Sequence, residues 1–231
     1  MTPSISPALR SLALAFVLAL GTPLVQAATE DLSVNARLLL FARNGDLAGV
    51  ERSLKEGAAA NARNRIGETA LVIALKKNDR AIAQTMLRAG TDVNLAALNG
   101  VTPLMAAAYA GQIDIARELL ARGADVGAVD RLRKSAMVYA AGEGHTEIVK
   151  LLLTRGVDAD AIYANDLTAL MWAAGQGKVE AVRALLDAGA RTDLKDNRGK
   201  TAADIAHELK HEDVARLIET AGPSRRAAVA R

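Results

Sequence analysis

GVTPLMAAAYAGQIDIARELLARGADV, residues 100–126, is the stretch whose reading decides the fold. Its Thr102 has counterparts at Thr69, Ser135, Thr168 and Thr201, and glycines recur at 57, 90, 123, 156, 189 and 222, both sets in steps of 33 residues. A fixed period of this size marks a stack of supersecondary units that bury their apolar faces on one another. Within the unit, Thr102 is placed to cap a helix, its hydroxyl accepting from an orphan backbone N–H. Pro103 takes the first helical position, where a missing N–H is harmless. The spacing predicts a helix over residues 104–110 ended by Gly111, and a second over 113–122 whose Ile115, Ala116, Leu119 and Leu120 make one apolar face. Gly123 supplies the positive φ that closes it.

Working outward, the same frame degrades at both ends. Before residue 64, Ala36 fills the threonine slot, while Leu38, Gly45, Val50, Leu54 and Gly57 are kept. The last unit keeps Thr201, Ile205, Ala206, Val214, Leu217 and Ile218 but carries Asp204 and Glu219 at positions apolar elsewhere. End units of a stack need one polar outer face, so both read as caps.

A turn–helix–glycine–helix–glycine unit of this period resembles the ankyrin repeat. Its T-P-L-H-x-A and G-A-D-V-N patterns are matched by TPLMAA (102–107), TALMWA (168–173) and GTDVN (90–94). The motif histidine is missing throughout: its slot holds Val72, Met105, Val138, Met171 and Asp204, so packing replaces a structural hydrogen bond. The resemblance implies an all-α ankyrin-repeat solenoid with β-turn fingers. It divides the chain into an N-terminal capping repeat (28–63), four repeats (64–96, 97–129, 130–162 and 163–195), a C-terminal capping repeat (196–221) and a disordered basic tail (222–231).

Residues 1–27 read as a cleaved signal peptide. Arg10 precedes an uncharged apolar run over 12–20, Gly21 and Pro23 break it, and Val25 and Ala27 stand where a signal peptidase needs small residues. A membrane-spanning helix needs about 20 apolar residues, roughly twice this run, so no stable membrane insertion is expected after cleavage. With no cysteine in the sequence there is no lipid attachment, disulfide or thiol nucleophile. The mature chain is expected in the periplasm. A net charge of +3 is too small to argue for nucleic acid.

One catalytic motif has to be weighed. Residues 207–211, HELKH, match the HExxH of zinc hydrolases, in which two histidines one turn apart bind metal and the glutamate is the base. That geometry needs one unbroken helix through His207 and His211, and the repeat phase puts His211 in the turn after the first helix. His145 is two units away, about 20 Å at the usual ~10 Å spacing of packed helices. Ser135 is committed to capping. The sequence therefore predicts no enzyme, no cofactor and no metal, with the zinc hydrolase kept as the alternative.

What remains is surface. The resemblance implies a concave binding face made of turn tips and first helices. By phase it contains Arg65, Asn99, Arg131, Asn165 and Arg198 at the tips, Arg133 and Lys134 just after one of them, and Lys76, Lys77, Tyr109, Glu143 and Gln176 on the first helices. Tyr139 and Trp172 fall beside these, and Tyr163 opens the Trp172 unit. Aromatic side chains with a polar handle are typical interface anchors, against the alternative of burial between helices. Arg65, Arg131, Arg133, Lys134, Arg198 and Lys200 give the tips a basic bias, either a solvated edge or a device that steers an acidic partner. Arg133 and Asp166 replace the glycine of Gly67, Gly100 and Gly199. Arginine resists positive φ more than aspartate does, so the tip around Arg131–Arg133 is expected to be reshaped. Exported bacterial ankyrin-repeat proteins, which the chain resembles, imply a protein partner: a periplasmic enzyme such as catalase that is supported or protected, or a toxic effector that is neutralised. A monomer is expected. Binding of anionic lipid or peptidoglycan by the basic tips is a third possibility.

Overall fold

A computed structural model of the chain describes residues 32–222; the stretch read from the sequence as a signal peptide (1–27) and the tail beyond residue 222 lie outside the described residues. Twelve α-helices follow one another as six pairs among them. They are α1 (Val34–Asn44) with α2 (Leu47–Lys55), α3 (Ala70–Lys76) with α4 (Arg80–Arg88), and α5 (Pro103–Tyr109) with α6 (Ile113–Ala121). Then come α7 (Ala136–Glu143) with α8 (Thr146–Thr154), α9 (Ala169–Gly175) with α10 (Val179–Asp187), and α11 (Ala202–Glu208) with α12 (Glu212–Ala221). No strand is present among the described residues, and each pair packs on the next, first helix to first helix and second to second.

The capping slot works as the period implies. The Thr69, Thr102, Ser135, Thr168 and Thr201 side chains each accept from the backbone N–H three residues on, a bond typically worth about 1 kcal/mol. In the first pair the capping residue is Ser33, whose hydroxyl accepts from Ala36 N–H. Helix α1 therefore starts a turn earlier than the slot at Ala36 and runs for 11 residues, against 7 for α3 and α5.

Packing follows from side-chain size at fixed phase. Ala74, Ala107, Ala140, Ala173 and Ala206 have no exposure at all. A methyl group at each crossing lets neighbouring first helices approach closely. Between the helices of each pair lie larger groups, among them Leu71, Leu104 and Met137, all essentially buried. The slots that lack the motif histidine are filled as expected: Val72, Met105, Val138 and Met171 are at most 2% exposed.

The tips correct one expectation. At Gly67, Gly100 and Gly199 the residue has positive φ and its N–H bonds back three residues, to the carbonyl of residue 64, 97 or 196. Arg133 keeps the same turn: its φ is 56° and its N–H bonds to Asp130 O at 2.9 Å. The Asp130 side chain holds it there, Oδ1 accepting from both Leu132 and Lys134 N–H at 2.8 Å. Reshaping occurs instead at the next tip, where Tyr163 cannot accept in this way. There Ala164–Asp166 forms a short 3-10 turn with Asn165 and Asp166 both at positive φ.

Since an L-residue in the left-handed region costs about 1–2 kcal/mol, Arg133→Gly is expected to raise stability by about 0.5–1 kcal/mol net of the added freedom of the unfolded chain. Gly100→Ala is expected to lower it by about 1–3 kcal/mol, because a Cβ there would sit 2.9 Å from Asp130 Cα. Chemical denaturation of the two variants measures both signs.

Candidate functional site

The first helices and the tips form one continuous face, and two depressions lie on it. One, of about 330 Å³, is bounded by Lys76, Asn99, Val101, Met105, Ala106, Tyr109 and Tyr139. The other, of about 190 Å³, is bounded by Tyr109, Lys134, Val138, Tyr139, Gly142, Glu143, Trp172 and Gln176. Tyr109 and Tyr139 belong to both and form the ridge between them, their rings meeting edge to face at 5.9 Å between centroids. Tyr109 is 53% exposed at the end of α5, whereas Tyr139 and Trp172 are half-buried.

Each aromatic is held by its surroundings. The Tyr139 hydroxyl donates to Asp130 Oδ2 at 2.6 Å, the same carboxylate whose other oxygen organises the tip. Burial, and then that carboxylate, push the phenol well above its ordinary range. The Lys134 ammonium lies 4.4 Å from the Trp172 ring centroid and 5.8 Å from that of Tyr139, within cation–π range. Tyr163 is turned into the core, at 9% exposure, and takes no part in the face.

Six of the residues singled out from the sequence line the depression beside Trp172: Tyr109, Lys134, Tyr139, Glu143, Trp172 and Gln176. Lys76 and Asn99 join the two tyrosines around the other. Arg65, Lys77, Arg131, Arg133, Asn165 and Arg198 are exposed but line neither. The basic edge is also uneven. Arg198 pairs with Asp196 at 2.8 Å, and both Arg198 and Lys200 reach Glu208. Lys76 pairs with Glu68 at 2.7 Å. Burial opposes ionisation of Glu68, yet hydrogen bonds from Lys76 and Asn64 hold its carboxyl below the ordinary range. The repeat phase also puts Ile66, Leu98 and Leu132 at three successive tips, where they stand 54–65% exposed. An apolar residue at a tip position has no core to enter.

The HExxH residues are dispersed by the fold. Helix α11 ends at Glu208, Lys210 has φ 64°, and His211 opens α12. Both nitrogens of His207 face carboxylates, Glu212 Oε2 at 2.8 Å and Glu219 Oε1 at 3.0 Å. The hydrogen bond to Glu219, then that to Glu212, raises the imidazole pKa. His145 Nε2–H donates to Tyr109 O at 2.9 Å, tying one pair to the next. No group of residues suited to a metal ion occurs among the described residues.

A family model described as ankyrin repeats (3 copies) matches residues 38–130 and 133–225. No curated protein matches the chain.

A raised pKa in the folded state stabilises below the unfolded value, near 6.5, and the contribution is lost as pH rises through the folded one. An NMR titration is expected to place the His207 midpoint above 6.5. Glu219→Gln is expected to lower that midpoint and to narrow the stability difference between pH 5.5 and pH 8.

Proposed function

The chain belongs to the ankyrin-repeat family, and from that premise we propose that it is an exported protein-binding module with no catalysis of its own. The observation that carries the reading is the Tyr109–Tyr139 ridge standing between two depressions on the first-helix face. Aromatic rings fixed in position beside concave surface give large contact area at little entropic cost, which is how interface anchors work. The partner is a protein, and the exposed arginines Arg65, Arg131 and Arg133, which form no ion pair among the described residues, favour an acidic one. Export is supported by the signal-like sequence of residues 1–27, and the proposed compartment of the mature chain is the periplasm. No helix among the described residues is long and apolar enough to cross a membrane. There, by resemblance to exported bacterial ankyrin-repeat proteins, its role is to support or protect a periplasmic enzyme of the catalase kind.

The zinc-hydrolase alternative is set aside on two observations. The helix break separates His207 from His211, and Glu208 is engaged by Lys200 and Arg198 rather than free to act as a base.

Affinity capture from periplasm with the chain starting at Ala28 tests the proposal. Tyr109→Ala, at an exposed position that spares the core, is expected to weaken the captured partner at least about tenfold, the scale of an interface anchor. Arg131→Glu is expected to slow association, and Arg117→Glu, on the second-helix side, to change nothing. A partner held equally by all three variants would show that it binds elsewhere. A toxic effector in the captured fraction would replace enzyme support by immunity while leaving the face in place.

A further inference from the structure

The 33-residue register exposes a missing partner at the centre of the face. In the last pair Lys200, just after the tip, bonds Glu208 eight residues on. In the second pair Glu68 bonds Lys76, at the same two slots with the signs exchanged. In the fourth pair those slots hold Lys134 and Gly142. Among the described residues no carboxylate lies within ion-pair distance of Lys134, and its ammonium rests on the Trp172 and Tyr139 rings instead. Gly142 leaves open the space that Lys76 and Glu208 fill in the second and last pairs: a Cβ placed there meets only Trp172 Cε3, at 4.0 Å. The depression of about 190 Å³ beside Trp172 is thus an ion-pair slot with one partner absent, bordered by aromatic rings whose low polarity strengthens a charge pair formed against them.

We propose, on the reading that the partner seats on the first-helix face, that the absent carboxylate comes from the partner: an aspartate or glutamate of an exposed loop seats over Gly142 against Lys134. An apolar side chain of the same loop fills the neighbouring depression floored by Val101, Met105 and Ala106. The two depressions lie one unit apart, about 10 Å, which an extended chain spans in three residues at about 3.3 Å each. Arg131 and Arg133 at the adjacent tip add attraction for the acidic side chain. Glu143, exposed on the rim, is the one carboxylate lining the depression and opposes it.

Trp172 is the only tryptophan in the chain, so its fluorescence reports on this slot directly. The probes are a capped hexapeptide with leucine second and glutamate fifth among glycines, and its glutamine counterpart. The glutamate peptide is expected to bind about tenfold more tightly, with the difference shrinking as salt rises. Lys134→Met is expected to erase the preference. Gly142→Glu is expected to erase it too, by supplying the carboxylate within the chain, and to raise the melting temperature rather than lower it. Glu143→Gln is expected to widen it. Equal responses to the two peptides, no response to either, or a preference that survives Lys134→Met would overturn the carboxylate slot. The same variants separate this from the face itself. A captured partner lost with Tyr109→Ala but kept at full strength by Lys134→Met and Gly142→Glu would overturn the slot and leave the face standing, whereas indifference to Tyr109→Ala would remove the face.

Discussion

The rest of the structure depends on how closely the first helices approach one another. At each crossing the residue is a fully buried alanine, at 74, 107, 140, 173 and 206, whose methyl group lets the helices come close. The preceding slot, at 73, 106, 139, 172 and 205, then has no core to expand into. Isoleucine or alanine there stays buried, while the larger Tyr139 and Trp172 stand half out of the stack. The aromatic face is in this sense a product of the packing that stabilises the solenoid. Tight helix crossings push the large side chains of this slot outward.

Electrostatics narrows the face further. Toward one end Lys76 is neutralised by Glu68, and toward the other Arg198 and Lys200 share Asp196 and Glu208. Pairs this exposed add little to stability, but they decide where charge stays available. It stays available in the middle, where Lys134 rests on two rings and Arg131 and Arg133 point into solvent. Asp130 joins the two halves of that centre, one oxygen fixing the tip and the other fixing the Tyr139 hydroxyl. The tip and Tyr139 of the aromatic ridge are therefore tied through one carboxylate.

The turns show how local chemistry and repeat phase compete. HELKH reads locally as a metal-binding helix, but the unit must turn after its first helix, and that requirement breaks the motif at Lys210. Arg133 shows the opposite outcome. An unfavourable residue is carried through the standard turn because Asp130 supplies two hydrogen bonds. Asp166, a better residue for positive φ, sits in the turn that changes shape. At the Arg133 tip the residue's own preference is overridden by the side chain three residues earlier.

The sequence by itself determined the fold, because helix caps, helix ends and buried slots recur at one period and each has a local physical cause. It also placed Tyr109, Tyr139 and Trp172 on or beside the face by phase alone. It did not reveal that Ser33 starts the first helix a turn early, that Tyr163 faces inward, or that Arg198 and Lys200 are neutralised while Lys134 is not. Those outcomes turn on contacts between residues in neighbouring units or across a turn, such as Lys134 with Trp172 and Lys200 with Glu208. Periodicity assigns a residue to a position, but its charge partner and its exposure are set by whichever side chains the stacking brings beside it. Only the tertiary structure contains that pairing.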